Sequence, residues 1–245
     1  MPKQSKTTSL SAWLLGLSAV VLLSACSSGR QFFGNENELT AEQLHGARGA
    51  LTPSDYYLIK KGDTLFGIAW RYGLDMHELA SWNNLSNPDY ILAGHQLRMK
   101  PPVGVRRIPV VAPQVTTTGQ AGWIWPTRGQ VISGYSTQTP GHRNLRIAGQ
   151  RGQTVMAVND GTVVYTGTGI SGYGRMVIIS HSHKVLSAYG YLDNATVREG
   201  QRVKRGQVIG TMGVNSRNQP ALHFETRKQG TPVNPYGYIG TNPRF

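Results

Sequence analysis

From Trp123 onward the chain is written in short apolar segments broken by glycine: Val131-Ile132-Ser133, Thr154-Val155-Met156-Ala157-Val158, Gly161-Thr162-Val163-Val164-Tyr165 and Met176-Val177-Ile178-Ile179. Helical periodicity is hardly visible in them, and alternation with frequent turns points to antiparallel sheet. Val197, Gly200, Val203, Gly206 and Val208-Ile209-Gly210 continue the spacing. The expectation is a mainly antiparallel β domain over residues 122–245. Near its end stands Ala221-Leu222-His223-Phe224-Glu225. In an extended strand positions 221 and 223 share a face, so a His-x-His pair there would set two imidazoles at a zinc ion. Here the first of the pair is alanine.

The front of the chain gives an address. Lys3 and Lys6 precede an apolar run from Leu10 to Leu23, followed by Ser24-Ala25-Cys26. The run is short for a membrane span, which needs about 20 residues, but suits the apolar part of a secretory signal. Leu23-Ser24-Ala25-Cys26 resembles the bacterial lipobox, which implies a signal peptide over 1–25 and acylation of Cys26, the one cysteine in the chain. With that thiol acylated no internal disulfide forms, and stability must come from packing. Ser27 in place of Asp resembles the outer-membrane sorting pattern, placing the protein at the outer membrane with its body in the periplasm.

The formal charge is +13 and the pI near 10.1, which favours an anionic partner. For an exported chain that polyanion is peptidoglycan, and no nucleic-acid partner is expected. Residues 26–54 carry no sustained periodicity and read as a flexible tether.

Between Tyr56 and Met99 the pattern is of another kind. Tyr56-Tyr57-Leu58-Ile59 suits a strand, and Lys61-Gly62-Asp63-Thr64 is a turn able to cap a helix carrying Leu65, Ile68, Ala69 and Tyr72. Gly73 stops that helix; Met76, Leu79 and Ala80 mark a second, and Gln96-Leu97-Arg98-Met99 a closing strand. The expectation for residues 55–100 is a small α+β unit, βααβ. Residues 101–121, with Pro109, Pro113 and Thr116-Thr117-Thr118, read as a Pro/Thr-rich linker across which two modules sample many separations.

Tyr57 to Ala69, together with Trp82-Asn83, Pro88 and Ile91-Leu92-Ala93-Gly94-His95-Gln96-Leu97, resembles the LysM family. The resemblance implies binding of N-acetylglucosamine-containing glycans, peptidoglycan above all, by Gly62, Asp63, Thr64, Leu65, Pro88, Asp89, Tyr90 and Ile91. The chain from Trp123 to Ile239 resembles the LytM, or lysostaphin-type, zinc endopeptidase domain through Gly152 to Val163, Gly172 to His181 and Val197 to Gly210.

Active members of that family hold zinc with a His, an Asp four residues later and the second His of a final His-x-His, and two further histidines assist. Carried over, His142 and His223 survive as vestigial ligands. The Asp position is Arg146, and the assisting positions are Tyr191 and Ala221. A guanidinium stays protonated and offers no lone pair to a metal. The resemblance therefore implies no catalytic residue, no metal and no cofactor, and leaves a partner-binding groove of His142, Arg146, Tyr191, Ala221 and His223. His181-Ser182-His183 reads as ordinary surface or core histidine, and Glu225 is expected to point away from the groove.

The order of lipobox, LysM, linker and degenerate LytM domain resembles Gram-negative lipoproteins of the NlpD/YgeR kind. What this implies is a non-catalytic protein that binds peptidoglycan and activates N-acetylmuramoyl-L-alanine amidases in wall splitting and daughter-cell separation. A passive peptidoglycan tether is the alternative, and a zinc endopeptidase the less favoured one.

Overall fold

The computed structural model describes residues 55–241 apart from 89, 106–108, 117, 118 and 140. The signal segment, Cys26, the tether and Asp89 lie outside the described residues.

The first module is the expected βααβ unit. Strand β1 (Tyr56–Leu58) pairs antiparallel with β2 (Gln96–Arg98), Tyr57 opposite Leu97. Helix α1 (Leu65–Tyr72) begins where the Thr64 hydroxyl accepts from the Gly67 amide at 3.0 Å and ends at Gly73, whose φ of +66° is the left-handed cap glycine favours. Asp75 caps α2 (Met76–Trp82) through the amides of His77 and Glu78. The Asn83 side chain bonds both the Leu79 carbonyl and the Arg98 backbone, fastening α2 to β2. Leu65, Ile68, Ala69, Leu79, Leu97 and Met99 form the core.

Helix α1 has a second apolar flank. Phe66 and Trp70 lie about a third of a turn round from Leu65 and Ala69, and they pack outside that core, against the second module.

The second module is the expected antiparallel sheet. Its strands are β3 (Val131–Ser133), β4 (Leu145–Ala148), β5 (Thr154–Met156), β6 (Gly161–Gly167), β7 (Arg175–His181), β8 (Val185–Ala195), β9 (Arg202–Val203), β10 (Val208–Met212), β11 (Ala221–Lys228) and β12 (Thr231–Val233), before the short helix α3 (Tyr236–Ile239). The order is β3-β4-β11-β8-β7-β6-β9, with β10 bridging β8 and β5, and β12 on β11.

Alternation sends Val177, Ile179, Tyr189, Leu222 and Phe224 to one face, where they form the main core with Leu145, Ile147 and Val163. Met176, Ile178 and Ala188 face the other way and meet Trp70. Strand β7 is thus buried on both faces, which is why Met176 to Ile179 reads as an unbroken apolar run.

His181 is a structural residue of this module. Its Nδ1 donates to the Asp160 carbonyl at 2.7 Å, so the imidazole proton sits there and Nε2 accepts from Ser187 at 2.7 Å. Ser187 and Tyr189 share a 2.9 Å hydrogen bond, and the Val158 amide donates to the Tyr189 oxygen at 3.0 Å. The side-chain polar atoms of His181, Ser187 and Tyr189 are thereby matched.

The linker departs from expectation. Its described part lies along the second module: the Lys228 ammonium donates to the Val111 carbonyl (3.0 Å), the Thr241 amide to that of Thr116 (3.2 Å) and the Gln120 amide to that of Tyr238 (2.7 Å). The modules do not stand apart either. Phe66 stacks on Tyr165 at 5.9 Å, Trp70 meets the Tyr173 ring at 6.2 Å, and a Cβ at Gly230 would lie 2.1 Å from the Leu74 carbonyl carbon. Burial of the Phe66 and Trp70 flank outweighs the freedom that the linker's composition suggests.

Candidate functional site

The face of β11 opposite the main core carries Ala221, His223, Glu225 and Arg227 in a buried row. The Arg146 Cα is the register partner of His223 on β4, and Ser133 on β3 is in turn the partner of Arg146. His142 Nδ1 lies 3.2 Å from the Ser133 hydroxyl. Three strands therefore gather His142, Arg146 and His223 about one spot. The Tyr191 ring stands edge-on to His223 at 6.0 Å, in a backbone with φ of +60°, and Tyr173 packs edge-on at 4.9 Å. Gly190, opposite His223 on β8, is a glycine for want of room: a Cβ there would lie 3.1 Å from the Tyr173 carbonyl oxygen and 3.3 Å from the His223 Cβ.

The five side chains expected in the groove differ in access. Ala221 is fully buried beside Ala148, His223 is 2% exposed and Tyr191 is buried, whereas His142 and Arg146 are half-buried. His142 and Arg146 are thus the side chains of this set that offer surface to another molecule.

Glu225 corrects the sequence reading. It points along the same face as His223, two residues on, and its Oε2 lies 3.3 Å from His223 Nε2. Oε1 accepts from Arg227 Nε at 2.6 Å, and Arg227 also donates to the Trp70 carbonyl and covers the Trp70 ring with its guanidinium carbon 3.5 Å from the centroid.

Burial pushes the His223 imidazole below its ordinary range. The Glu225 carboxylate opposes this, and Arg146 and Arg227 reinforce it. Burial by itself would raise Glu225, but the Arg227 charge and the hydrogen bond from His223 overcome it and hold the carboxyl at about 2. The contact is therefore that of a neutral imidazole donating to a carboxylate rather than an ion pair, and the full countercharge is Arg227. Among the described residues no three His, Cys, Asp or Glu side chains converge in a way that could hold a metal ion.

In the first module Gly62 has φ of +86°, and Thr64 caps α1. Leu65 is buried, Ile91 packs against the core, Tyr90 is 67% exposed, and Pro88 is half-buried. Asp63 is engaged within the module: its carboxylate accepts from the Tyr57 hydroxyl (2.7 Å), the Lys60 amide (2.9 Å) and Arg71 (2.9 Å). Sequence reasoning missed Arg227, Tyr173 and Trp70. For Arg227 the signal was present, since strand alternation sets 221, 223, 225 and 227 in one row.

A family model for the LysM domain matches residues 57–100, and one for peptidase family M23 matches residues 140–235. A Pseudomonas aeruginosa protein described as lipoprotein NlpD/LppB homolog is 35% identical over an alignment 269 positions long, which covers 92% of this chain and 91% of that one. The chain belongs to the NlpD/LppB lipoprotein family. Two Escherichia coli relatives of this NlpD/LppB chain are similar as well. Murein hydrolase activator NlpD is 32% identical over 75% of this chain and 67% of its own length. The lipoprotein YgeR is 34% identical over 77% of this chain and 83% of its own. The NlpD relatives from Salmonella dublin and Escherichia coli are named murein hydrolase activators.

Proposed function

We propose that this chain is a non-catalytic activator of N-acetylmuramoyl-L-alanine amidases, held to the outer membrane through an acylated Cys26 and to peptidoglycan through its LysM domain, and acting in daughter-cell separation. The names of its NlpD relatives support the role. The observation that carries the non-catalytic half is Arg146 standing in register with His223. A carboxylate in that place would complete a donor set with His142; a guanidinium has five donors, no lone pair and a fixed charge of the metal's own sign. The donors present do not fit zinc, whose sites take three or four N, O or S ligands.

What the groove offers instead is a recognition surface. The Arg146 side chain makes no hydrogen bond or ion pair among the described residues, and its fork suits a carboxylate or a row of carbonyls on a partner. His142 flanks it, with Tyr191 and the buried His223 as the floor. In this reading the groove takes hold of a segment that blocks the amidase's own active site. Activation then follows from tighter binding to the open enzyme than to the closed one. Gly62, Thr64, Pro88, Asp89, Tyr90 and Ile91 are the proposed glycan contacts, with Asp63 and Leu65 supporting the loop from within.

The test is release of dye from labelled peptidoglycan by each amidase of the same organism, by this chain, and by the two together. Stimulation of one amidase, with no release by the chain alone, is the expected result. Glycan binding without stimulation of any amidase would leave a passive tether, and chelator-sensitive release by the chain alone an endopeptidase.

A further inference from the structure

The buried row on β11 does not stop at the groove. It continues from His223 through Glu225 to Arg227 and ends on Trp70, a residue of the LysM domain. A second route joins the same two ends. Trp70 meets the Tyr173 ring at 6.2 Å, and Tyr173 lies edge-on to His223 at 4.9 Å with its hydroxyl 3.5 Å from Glu225 Oε2. One route is polar and one aromatic, and His223 is where both arrive.

Trp70 has little part in the module it belongs to. It is 3% exposed, yet it packs with Ile170, Tyr173, Met176, Ile178 and Ala188 of the second module and not with Leu65, Ile68 and Leu79 of its own core. An indole on the outer flank of a short helix, closely covered by a guanidinium that itself holds a buried carboxylate, has a role in the partner module's geometry that glycan binding does not require.

We infer that Trp70 is a positioning residue for the groove: by clamping Arg227 against Glu225 and backing Tyr173, the docked LysM domain fixes the His223 ring that forms the groove floor. The floor is then complete only while the two modules are together, and loss of docking slackens it. The inference rests on the activator reading for its consequence, but not for its geometry.

The experiment uses the full chain and two readouts. The first is the set of ring-proton shifts of His223 and Tyr191 at fixed pH, which needs no partner; the second is stimulation of the responsive amidase. For Trp70→Ala the expected result is displaced His223 and Tyr191 signals and stimulation lower by about tenfold, the equivalent of roughly 1.4 kcal/mol. Pull-down on peptidoglycan should be unchanged, and Trp70→Phe should restore both readouts in part. Arg227→Lys, which leaves the LysM sequence untouched, should shift the same signals because an ammonium cannot bond Glu225 and cover the indole at once.

Unmoved His223 and Tyr191 signals in both Trp70→Ala and Arg227→Lys overturn the inference, whatever the amidase does. If the natural chain stimulates no amidase while the signals still move, the activator reading fails and the positioning role stands. Should Trp70→Ala lose peptidoglycan pull-down, Arg227→Lys decides alone.

Discussion

Arg227 holds its guanidinium carbon 3.5 Å from the centre of the Trp70 ring, 157 positions away in sequence, and turns its Nε to Glu225 at 2.6 Å. All three side chains are buried. A desolvated cation–π contact contributes about 2 kcal/mol, but the larger effect is on the carboxylate. Removing one partner of a buried pair costs about 3–5 kcal/mol, because the other is left charged and alone. Arg227→Met should therefore destabilise the chain by that order in urea unfolding. Adding Glu225→Leu should recover most of the loss; a double variant as unstable as the single one would show that Glu225 is not the group left stranded.

Gly230 sits with φ of +75° at the turn between β11 and β12, where an added Cβ would fall 2.1 Å from the Leu74 carbonyl carbon and 2.3 Å from the Asp75 nitrogen. Neither neighbour is a side chain that can swing aside. Gly230→Val should drive the modules apart, raising the radius of gyration in solution scattering while the β-sheet circular dichroism is kept. An unchanged scattering profile would count against the docked arrangement.

Acid should weaken the fold in two stages. His181 and His223 have imidazoles held below their ordinary range, in both cases chiefly by burial, so the unfolded chain takes up protons that the folded chain refuses. Stability then declines as pH falls from about 7 through the unfolded value near 6.5. Glu225, held at about 2, adds a second decline from about pH 4.5 downward, as the unfolded carboxyl protonates first. Both signs are the same: stability rises with pH wherever the unfolded state binds more protons. Thermal midpoints taken from pH 8 to pH 3 check this, and a midpoint flat between pH 7 and pH 5 would contradict the histidine part.

Arg146→Asp puts a carboxylate in register with His223 and next to Ser133, on which His142 is hydrogen-bonded. It replaces repulsion of a dication by attraction, on the order of 4 kcal/mol per unit charge at about 4 Å and an effective dielectric near 20. The variant should keep zinc through dialysis, measured by elemental analysis, where the natural chain loses it. With Tyr191 and Ala221 unchanged, it should still cut no peptide bridges.

Tyr189 ties the His181 chain to the β5–β6 connection by accepting from the Val158 amide at 3.0 Å. Tyr189→Phe keeps the ring and strands that buried amide, while Ser187 keeps its bond to His181, at a cost of about 1–3 kcal/mol. The decrease should appear in urea midpoints, and an unchanged midpoint would show that the Val158 amide does not depend on the Tyr189 oxygen.

Local rules carried much of the fold. Thr64 and Gly73 bound α1 where cap chemistry puts them, and the glycine-broken apolar runs became the strands of an antiparallel sheet. Register placed Arg146 against His223, two residues singled out from sequence for another reason. What was not legible was long-range. The Phe66 and Trp70 flank looks like ordinary helix composition until a sheet face is set against it. The linker is fastened through backbone groups of Val111, Thr116 and Gln120, which leave no trace in side-chain type. Glu225 is a different case: alternation put it beside His223, and only a focus on metal ligands turned it away.

The close approach at Gly230 has a mechanical side. Backbone meets backbone there, and the described part of the connecting segment is fastened to the second module through Val111, Thr116 and Gln120. A force that separated the two modules would therefore fall first on the contacts at Gly230 and on the row that runs from Trp70 to His223.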